Sequence, residues 1–223
     1  MNRRTRAQVS VRGSGPGGGA RSASGYQVLA GWLGRVARLD FSVFEEVKTE
    51  RTATASAVLV VFGASLLAGI GSWIWALQHG EYGLGGGEVL LKSVLGGTLV
   101  QTGVFFVWVY LSYVVLTHIF GAKVFFQELI RTMGLAFAPV GMSLFVAVAP
   151  LAVPFGVFSL GLAFVVENAA IQRASGVTER EAMFANLGGF AAFLVFMGAF
   201  ANVLKVAEFG GLAPGIFFFT FGA

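Results

Sequence analysis

The 223-residue chain has no cysteine, two histidines (His79 and His118), five prolines and a charged fraction of only 12%. Each shortage removes a class of function. Without cysteine there is no disulfide framework, no thiolate metal site and no cysteine nucleophile. Two isolated histidines do not make a histidine metal centre. A soluble globular domain carries about 25% charged residues, so this chain has too little charge to cover a water-facing surface. It holds no G-x-S-x-G, no H-E-x-x-H, no close carboxylate pair inside an apolar run and no Ser-His-Asp set that one topology would gather. The sequence therefore reads as non-enzymatic, with no catalytic residue, no cofactor and no metal.

What the chain has in quantity is apolar surface and glycine: 56% hydrophobic residues, 23 Phe and 32 Gly, with a mean hydropathy of +0.79. Five apolar runs meet the ~20 residues needed to cross a bilayer as helix, at about 54–77, 93–117, 128–148, 153–172 and 183–203. The fold expected is all-α, a polytopic bundle of five transmembrane helices over 53–204. In the first run Ser65, Ala68, Gly69 and Ser72 form a small-residue stripe. Such a stripe lets another helix, or a second copy of the chain, approach closely. Pro139 lies well inside the third run and predicts a kink, because it removes a backbone N–H. The loop His79–Gly87 is Gly-rich but lacks the Lys-Ser/Thr of a P-loop, so flexibility explains its glycines. Residues 205–223 form a Phe-rich tail, broken by Gly and Pro and read as lying at the membrane interface.

Residues 1–25 are rich in Arg, Gly and Ser and too poor in apolar side chains to fold alone. Arg3-Arg4 is not followed by the apolar stretch of an export signal. Gly13-Ser14-Gly15-Pro16-Gly17-Gly18 matches G-x-G-x-x-G in letters only, with neither strand nor helix around it. The arginines have no interleaved aromatics on which bases would stack, so no nucleic acid partner is expected; attraction to anionic lipid headgroups is. Over 26–52 the pattern turns helical. Val28, Leu29, Trp32, Leu33 and Val36 share one face, with Arg35 and Arg38 off it. This predicts an amphipathic helix in the membrane interface, with Trp32, Arg35 and Arg38 as candidate membrane-surface residues, or else a helix packed on a protein surface. Ser42 and Glu45 have the spacing of a capping box and predict a short juxtamembrane helix.

Charge sets the expected orientation. Nine of the fifteen Lys and Arg precede residue 52. With the N-terminus cytoplasmic, Lys123, Arg131, Arg173 and Arg180 join them, and only Lys92 and Lys205 fall on the other side, as the positive-inside rule requires. The expected location is a cell (inner or plasma) membrane, with the C-terminus outside the cytoplasm. Glu167 is the one acidic residue clearly inside a span. A charge at membrane depth costs ~2.5 kcal/mol or more. His118, Glu128, Arg131, Asn168 and Asn186 fall in the same layer by sequence position, so a polar cluster is expected there, with Arg131 pairing to Glu167 or Glu128. Structural pairing, a cavity for a proton, ion or headgroup, and simple snorkelling all remain open for it.

Phe120-Gly121, Phe126-Gln127-Glu128-Leu129-Ile130-Arg131 and Ala136-Phe137-Ala138-Pro139, after a juxtamembrane Phe44-Glu45-Glu46-Val47-Lys48, resemble the Yip domain family of five-span, Ypt/Rab-GTPase-interacting membrane proteins. The resemblance runs from about Phe41 to Lys205 and fits a prokaryotic-type member, since the acidic N-terminal motif of trafficking members has no counterpart here. It implies five spans and a cytoplasmic N-terminal region, and no defined activity. The function expected is a non-enzymatic scaffold or adaptor that binds lipid or protein partners. A transporter or permeation subunit built on Glu167 is the alternative.

Overall fold

A computed structural model of the chain describes residues 25–78, 86–203, 212–213 and 216–217. The expectations for residues 1–24, for most of the 79–87 loop and for most of the C-terminal tail lie outside the described residues. Seven helices run in chain order: α1 (Gly25–Ala37), α2 (Val43–Thr49), α3 (Ala53–Gln78), α4 (Gly87–Ile119), α5 (Phe126–Ala147), α6 (Ala152–Ser175) and α7 (Glu179–Val203). The last five are each long and apolar enough to cross a membrane. The chain is thus an all-helical, multi-pass membrane protein. The other regular structures among the described residues are a short 3-10 turn, Ala149–Leu151, and a two-residue antiparallel pairing, Leu212–Ala213 with Ile216–Phe217. The bundle has a proximal side, where α1 and α2 pack and where the α4–α5 and α6–α7 turns lie. Its opposite end is the distal side.

Helix ends differ from the apolar runs because local capping sets them. At α7 the Thr178 N–H donates to Glu181 Oε2 (2.9 Å) and the Glu181 N–H to Thr178 Oγ1 (3.4 Å). This reciprocal capping box starts the helix four residues before the apolar run at Met183. At α5, Glu128 accepts from the Phe125 N–H (3.0 Å); a phenyl ring can return nothing, so this is half a box. The box expected at Ser42 and Glu45 does not form. The Ser42 hydroxyl is engaged by Asp40 and Arg35, and Glu45 reaches across to Arg173. These charged partners offer more than a second neutral cap contact would. At α6, Gly176 takes φ 68° and its N–H closes onto Gln172 (2.9 Å), the left-handed helix stop that glycine permits.

Pro139 does more than kink its helix. α-Helix stops at Ala136, and Ala138–Ala147 continues as a 3-10 helix. Proline leaves the carbonyl four residues back without a donor. The tighter winding starts at once, with the Val140 N–H on the Phe137 carbonyl (3.0 Å). Because 3-10 helix rises ~2.0 Å per residue against ~1.5 Å for α, the 22-residue element still covers ~30 Å or more. α4 carries π-helical turns at both ends, Leu90–Gly96 and Val115–Ile119.

Close backbone approaches join the bundle. A Cβ placed on Gly69 would sit 2.7 Å from the Ser93 carbonyl oxygen, so the stripe on α3 does admit α4, as expected. Gly71 meets the Ser143 carbonyl of α5 in the same way. Gly189 on α7 is tighter still: its Cβ would lie 2.3 Å from Trp108 Cδ1 and 2.6 Å from the Trp108 carbonyl oxygen. Around that contact Phe105, Trp108, Phe137 and Phe193, all fully buried, form the bundle's centre. Trp108 meets Phe193 at 5.3 Å and Phe190 at 5.1 Å, and Phe105 meets Phe137 at 5.1 Å, in tilted and edge-on pairs.

Candidate functional site

The proximal face is held together by charged side chains. α1 turns its Trp32 and Val36 face onto the protein, where they are 6% and 4% exposed and pack with Phe44, Val47, Leu135 and Val166. The Trp32 indole N–H donates to Glu46 (2.8 Å), and Arg35 pairs with both Glu46 (2.7 Å) and Asp40 (2.9 Å). Those donors hold the Glu46 carboxyl below its ordinary range, Trp32 contributing most and Arg35 next. Asp40 is lowered in the same sense, first by the Ser42 hydroxyl and then by Arg35. The Trp32 and Val36 part of the apolar face of α1 is therefore taken up by the chain's own fold, while Val28 stays exposed and Leu29 and Leu33 are half-buried. Of Trp32, Arg35 and Arg38, Arg38 alone remains fully on the outside.

α2 is clamped from below. Arg131, 8% exposed, donates through Nε to Thr54 Oγ1 (2.8 Å) and through Nη1 to the Lys48 carbonyl (2.8 Å). Lys48 Nζ in turn donates to the Arg173 carbonyl at the end of α6 (3.0 Å), where a cation suits the helix C-terminus. Arg173 itself pairs with Glu45 (2.7 Å). The expected pairing of Arg131 with Glu167 or Glu128 is thus corrected. On an amphipathic helix the guanidinium serves whichever neighbour its face meets, and that face of α5 meets α2 and α3.

The rest of the expected cluster separates. His118 is exposed and bonded to Thr117 Oγ1 (2.9 Å), and Glu128 caps its own helix. Asn186 is fully buried: its Oδ1 accepts from Trp108 Nε1 (3.1 Å) and its Nδ2 donates to the Phe164 carbonyl (2.8 Å), tying α4, α7 and α6 together. Ser112 Oγ adds a bond to the Ala185 carbonyl (3.2 Å). Glu167 lies three residues beyond Phe164 towards the proximal side. Its side chain is wholly buried, and neither carboxyl oxygen has a hydrogen-bond partner among the described residues; Asn168 Oδ1 is in the same position. So Glu167, Asn168 and Asn186 stay close along α6 and its contact with α7, while His118, Glu128 and Arg131 do other work.

A second group of buried polar atoms was not recognised as a group from the sequence, where Ser65 reads only as part of the small-residue stripe. Ser65 Oγ on α3, and Thr98 Oγ1, Thr102 Oγ1 and both amide atoms of Gln101 on α4, are buried without a partner among the described residues. The signal was present: Thr98, Gln101 and Thr102 recur at three- and four-residue spacing on one face of an apolar helix. The aromatic centre separates the two groups. Trp108 is two turns from Gln101, ~10 Å along α4, and reaches Asn186 on the proximal side. Among the described residues no group of three or more His, Asp or Glu is placed to hold a metal ion.

Two concavities flank α1. One of about 550 Å³ opens between α1, α2 and the start of α3, lined by Val28, Trp32, Glu46, Glu50, Thr52 and Ser56 among others. The other, about 280 Å³ and almost wholly apolar, lies between α1, α3 and α5 against Leu29, Leu33, Leu59, Gly63, Leu67 and Gly141. No family model, no curated protein and no solved structure matches the chain.

Proposed function

We propose that this membrane protein is a non-enzymatic scaffold or adaptor of the Yip type, seated in a cell membrane with its N-terminus cytoplasmic, and that it engages lipid or a partner protein through the α1–α2 face. The observation that carries the reading is the proximal clamp. Arg35 ties α1 to α2, and Lys48, Arg131 and Arg173 fix α2 to the bundle. A surface made this rigid binds with little ordering cost. Its outer side presents Tyr26, Val28, Arg38 and Leu39, and the apolar concavity opens beside Leu29 and Leu33. The aromatic centre supports the same reading, since Trp108 and its neighbouring rings fill the interior where a permeation path would run.

Deleting Tyr26–Leu39 would also remove Trp32 and Val36 from the core, so the test uses outward residues. Tyr26→Ala, Val28→Ser and Arg38→Glu, combined, are compared with wild type by affinity purification from native membranes, with co-purifying proteins and lipids identified. Loss of specific species at unchanged protein yield is expected. An unaltered set argues against this face.

A second reading, a transporter or permeation subunit, rests on Glu167, whose buried carboxyl has no protein donor among the described residues. Flux of protons or small ions in proteoliposomes that disappears in Glu167→Gln would favour it. Equal flux in both, or none in wild type, would not.

A further inference from the structure

The four unpartnered polar side chains on α3 and α4 belong to one seam. The contact of Gly69 with Ser93 and Val94 fixes the register of these consecutive antiparallel helices. One turn back along α3 and one turn on along α4, Ser65 comes opposite Gly97–Thr98. A further turn puts Val61 opposite Gln101–Thr102. Ser65 and Gln101 are completely buried, and Thr98 is 2% exposed. Ser65 is twelve residues, ~18 Å, from the start of α3, which places the seam near the middle of a ~30 Å hydrocarbon layer. At that depth lipid supplies no hydrogen bonds, so five buried polar atoms without protein partners among the described residues call for another one.

The chemistry of the group chooses the partner. The three hydroxyls can donate or accept. Gln101 offers donors at Nε2 and acceptors at Oε1. No carboxylate belongs to the set, so nothing offsets a cation, and a cation would leave the Gln101 N–H groups unserved. Water meets both needs and makes about three bonds when buried. On one side the seam runs into Phe105 and Trp108, which close it. In the other direction Ser93 and Ser72, both buried, continue along the same helix faces towards the distal side.

We propose that the α3–α4 seam is a binding site for ordered water at mid-membrane, hydrated from the distal side and closed proximally by the Phe105–Trp108–Phe137–Phe193 layer. The site is independent of the scaffold reading, which concerns the opposite face. Its consequence is that water joins the Ser65, Thr98, Gln101 and Thr102 side chains between α3 and α4, a short way from the π-helical turn at Leu90–Gly96.

Because the chain has no cysteine, single cysteines report local water cleanly. Thiols react with Ag⁺ as thiolates, and a thiolate needs water. Ser65→Cys, Thr98→Cys and Leu99→Cys are reconstituted in lipid vesicles, treated with Ag⁺, then unfolded, and the surviving thiols are counted with a maleimide. Leu99 faces outwards at 67% exposed and is the lipid-side control. The expected result is at least tenfold faster silver protection at positions 65 and 98 than at 99. Equal inertness at all three positions overturns the proposal. The folded state is confirmed for each variant by a monodisperse elution profile, and Gln101→Leu in the Thr98→Cys background should slow the reaction. A specific rise in wild-type thermal stability with Na⁺ or K⁺, absent in Gln101→Leu, would also overturn it, in favour of a cation site.

Discussion

The clamp on α2 depends on Arg131, and Arg131→Met tests it while keeping most of the side chain's packing. The change removes two hydrogen bonds from a charged donor, to Thr54 Oγ1 and to the Lys48 carbonyl. Bonds of that kind contribute ~1.5–3 kcal/mol each. Against this, Arg131 is only 8% exposed, and removing a buried guanidinium recovers part of a desolvation cost of several kcal/mol. The Lys48 carbonyl lies near the surface, where water can replace the lost donor. We therefore expect a net loss of about 2 kcal/mol, concentrated in α2 rather than in the bundle. In hydrogen exchange this is a roughly 30-fold faster opening of amides 43–52, since 1.4 kcal/mol is a factor of ten, with little change in the core of α4 and α7. Arg131→Lys should fall between, because one ammonium cannot reproduce the fork of a guanidinium. The decisive measurement is a double-mutant cycle with Glu167→Met. Here the two residues act on different neighbours, so their effects should add within about 0.5 kcal/mol. A coupling of 1 kcal/mol or more would mean that Arg131 and Glu167 are partners after all, and the assignment of Arg131 to α2 would be wrong.

Three further outcomes rest on particular contacts. Glu167→Met removes two buried oxygens without partners and should raise thermal stability by ~1–3 kcal/mol, read by thermal unfolding in detergent; a fall would show that the carboxyl is held by a donor. Gly189→Ala drives a Cβ into the Trp108 carbonyl and should cost ~1–3 kcal/mol by overpacking, whereas Gly161→Ala, with nothing within 4 Å of its Cβ, should leave the unfolding temperature unchanged. The Asp40 and Glu46 carboxyls are held below their ordinary values in the folded chain, so their contribution is complete above the unfolded values near pH 4 and is lost as pH falls through the folded ones. Docking of α1 should accordingly be intact at neutral pH and loosen in acid below about pH 4. Amide exchange over 26–38, corrected for intrinsic rates, checks this, and exchange independent of pH after that correction would refute it.

The five spans were legible because membrane helices announce themselves by length and hydropathy, and a helix is the only open structure that satisfies its own backbone in lipid. The close approach along Gly69 was legible for a similar reason: small side chains have few other uses on a buried helix face. What failed was rotation. Sequence position placed His118, Glu128, Arg131 and Glu167 in one layer of depth, but side chains at one depth meet only if their helices turn the same way. The face of α5 that bears Arg131 looks towards α2, and that of α6 bearing Glu167 looks inwards. A turn of 100° per residue makes such assignments unreadable without a neighbour's contact. α1 shows the same limit. Its amphipathic pattern led to a membrane-interface reading over a protein-packed one, and the acid partners Asp40 and Glu46 were the unused clue that Trp32 and Arg35 belong to the fold.

The two groups of unpartnered polar atoms bear on function together. Glu167 and Asn168 lie proximal to the aromatic layer, and Ser65, Thr98, Gln101 and Thr102 lie distal to it. A solute crossing between them would have to displace Trp108. That ring is held on several sides: it bonds Asn186, touches Phe137, Phe190 and Phe193, and is backed by Gly189 with no room for a methyl group. Passage would require α4 and α7 to separate along their whole contact, with loss of the Ser112–Ala185 bond as well. Replacing Trp108 with Ala therefore separates the two readings. In a scaffold it removes stability and creates no conductance. In a permeation protein it widens a path between the two polar groups, seen as a proton or water flux in proteoliposomes well above that of wild type and suppressed by Gln101→Leu.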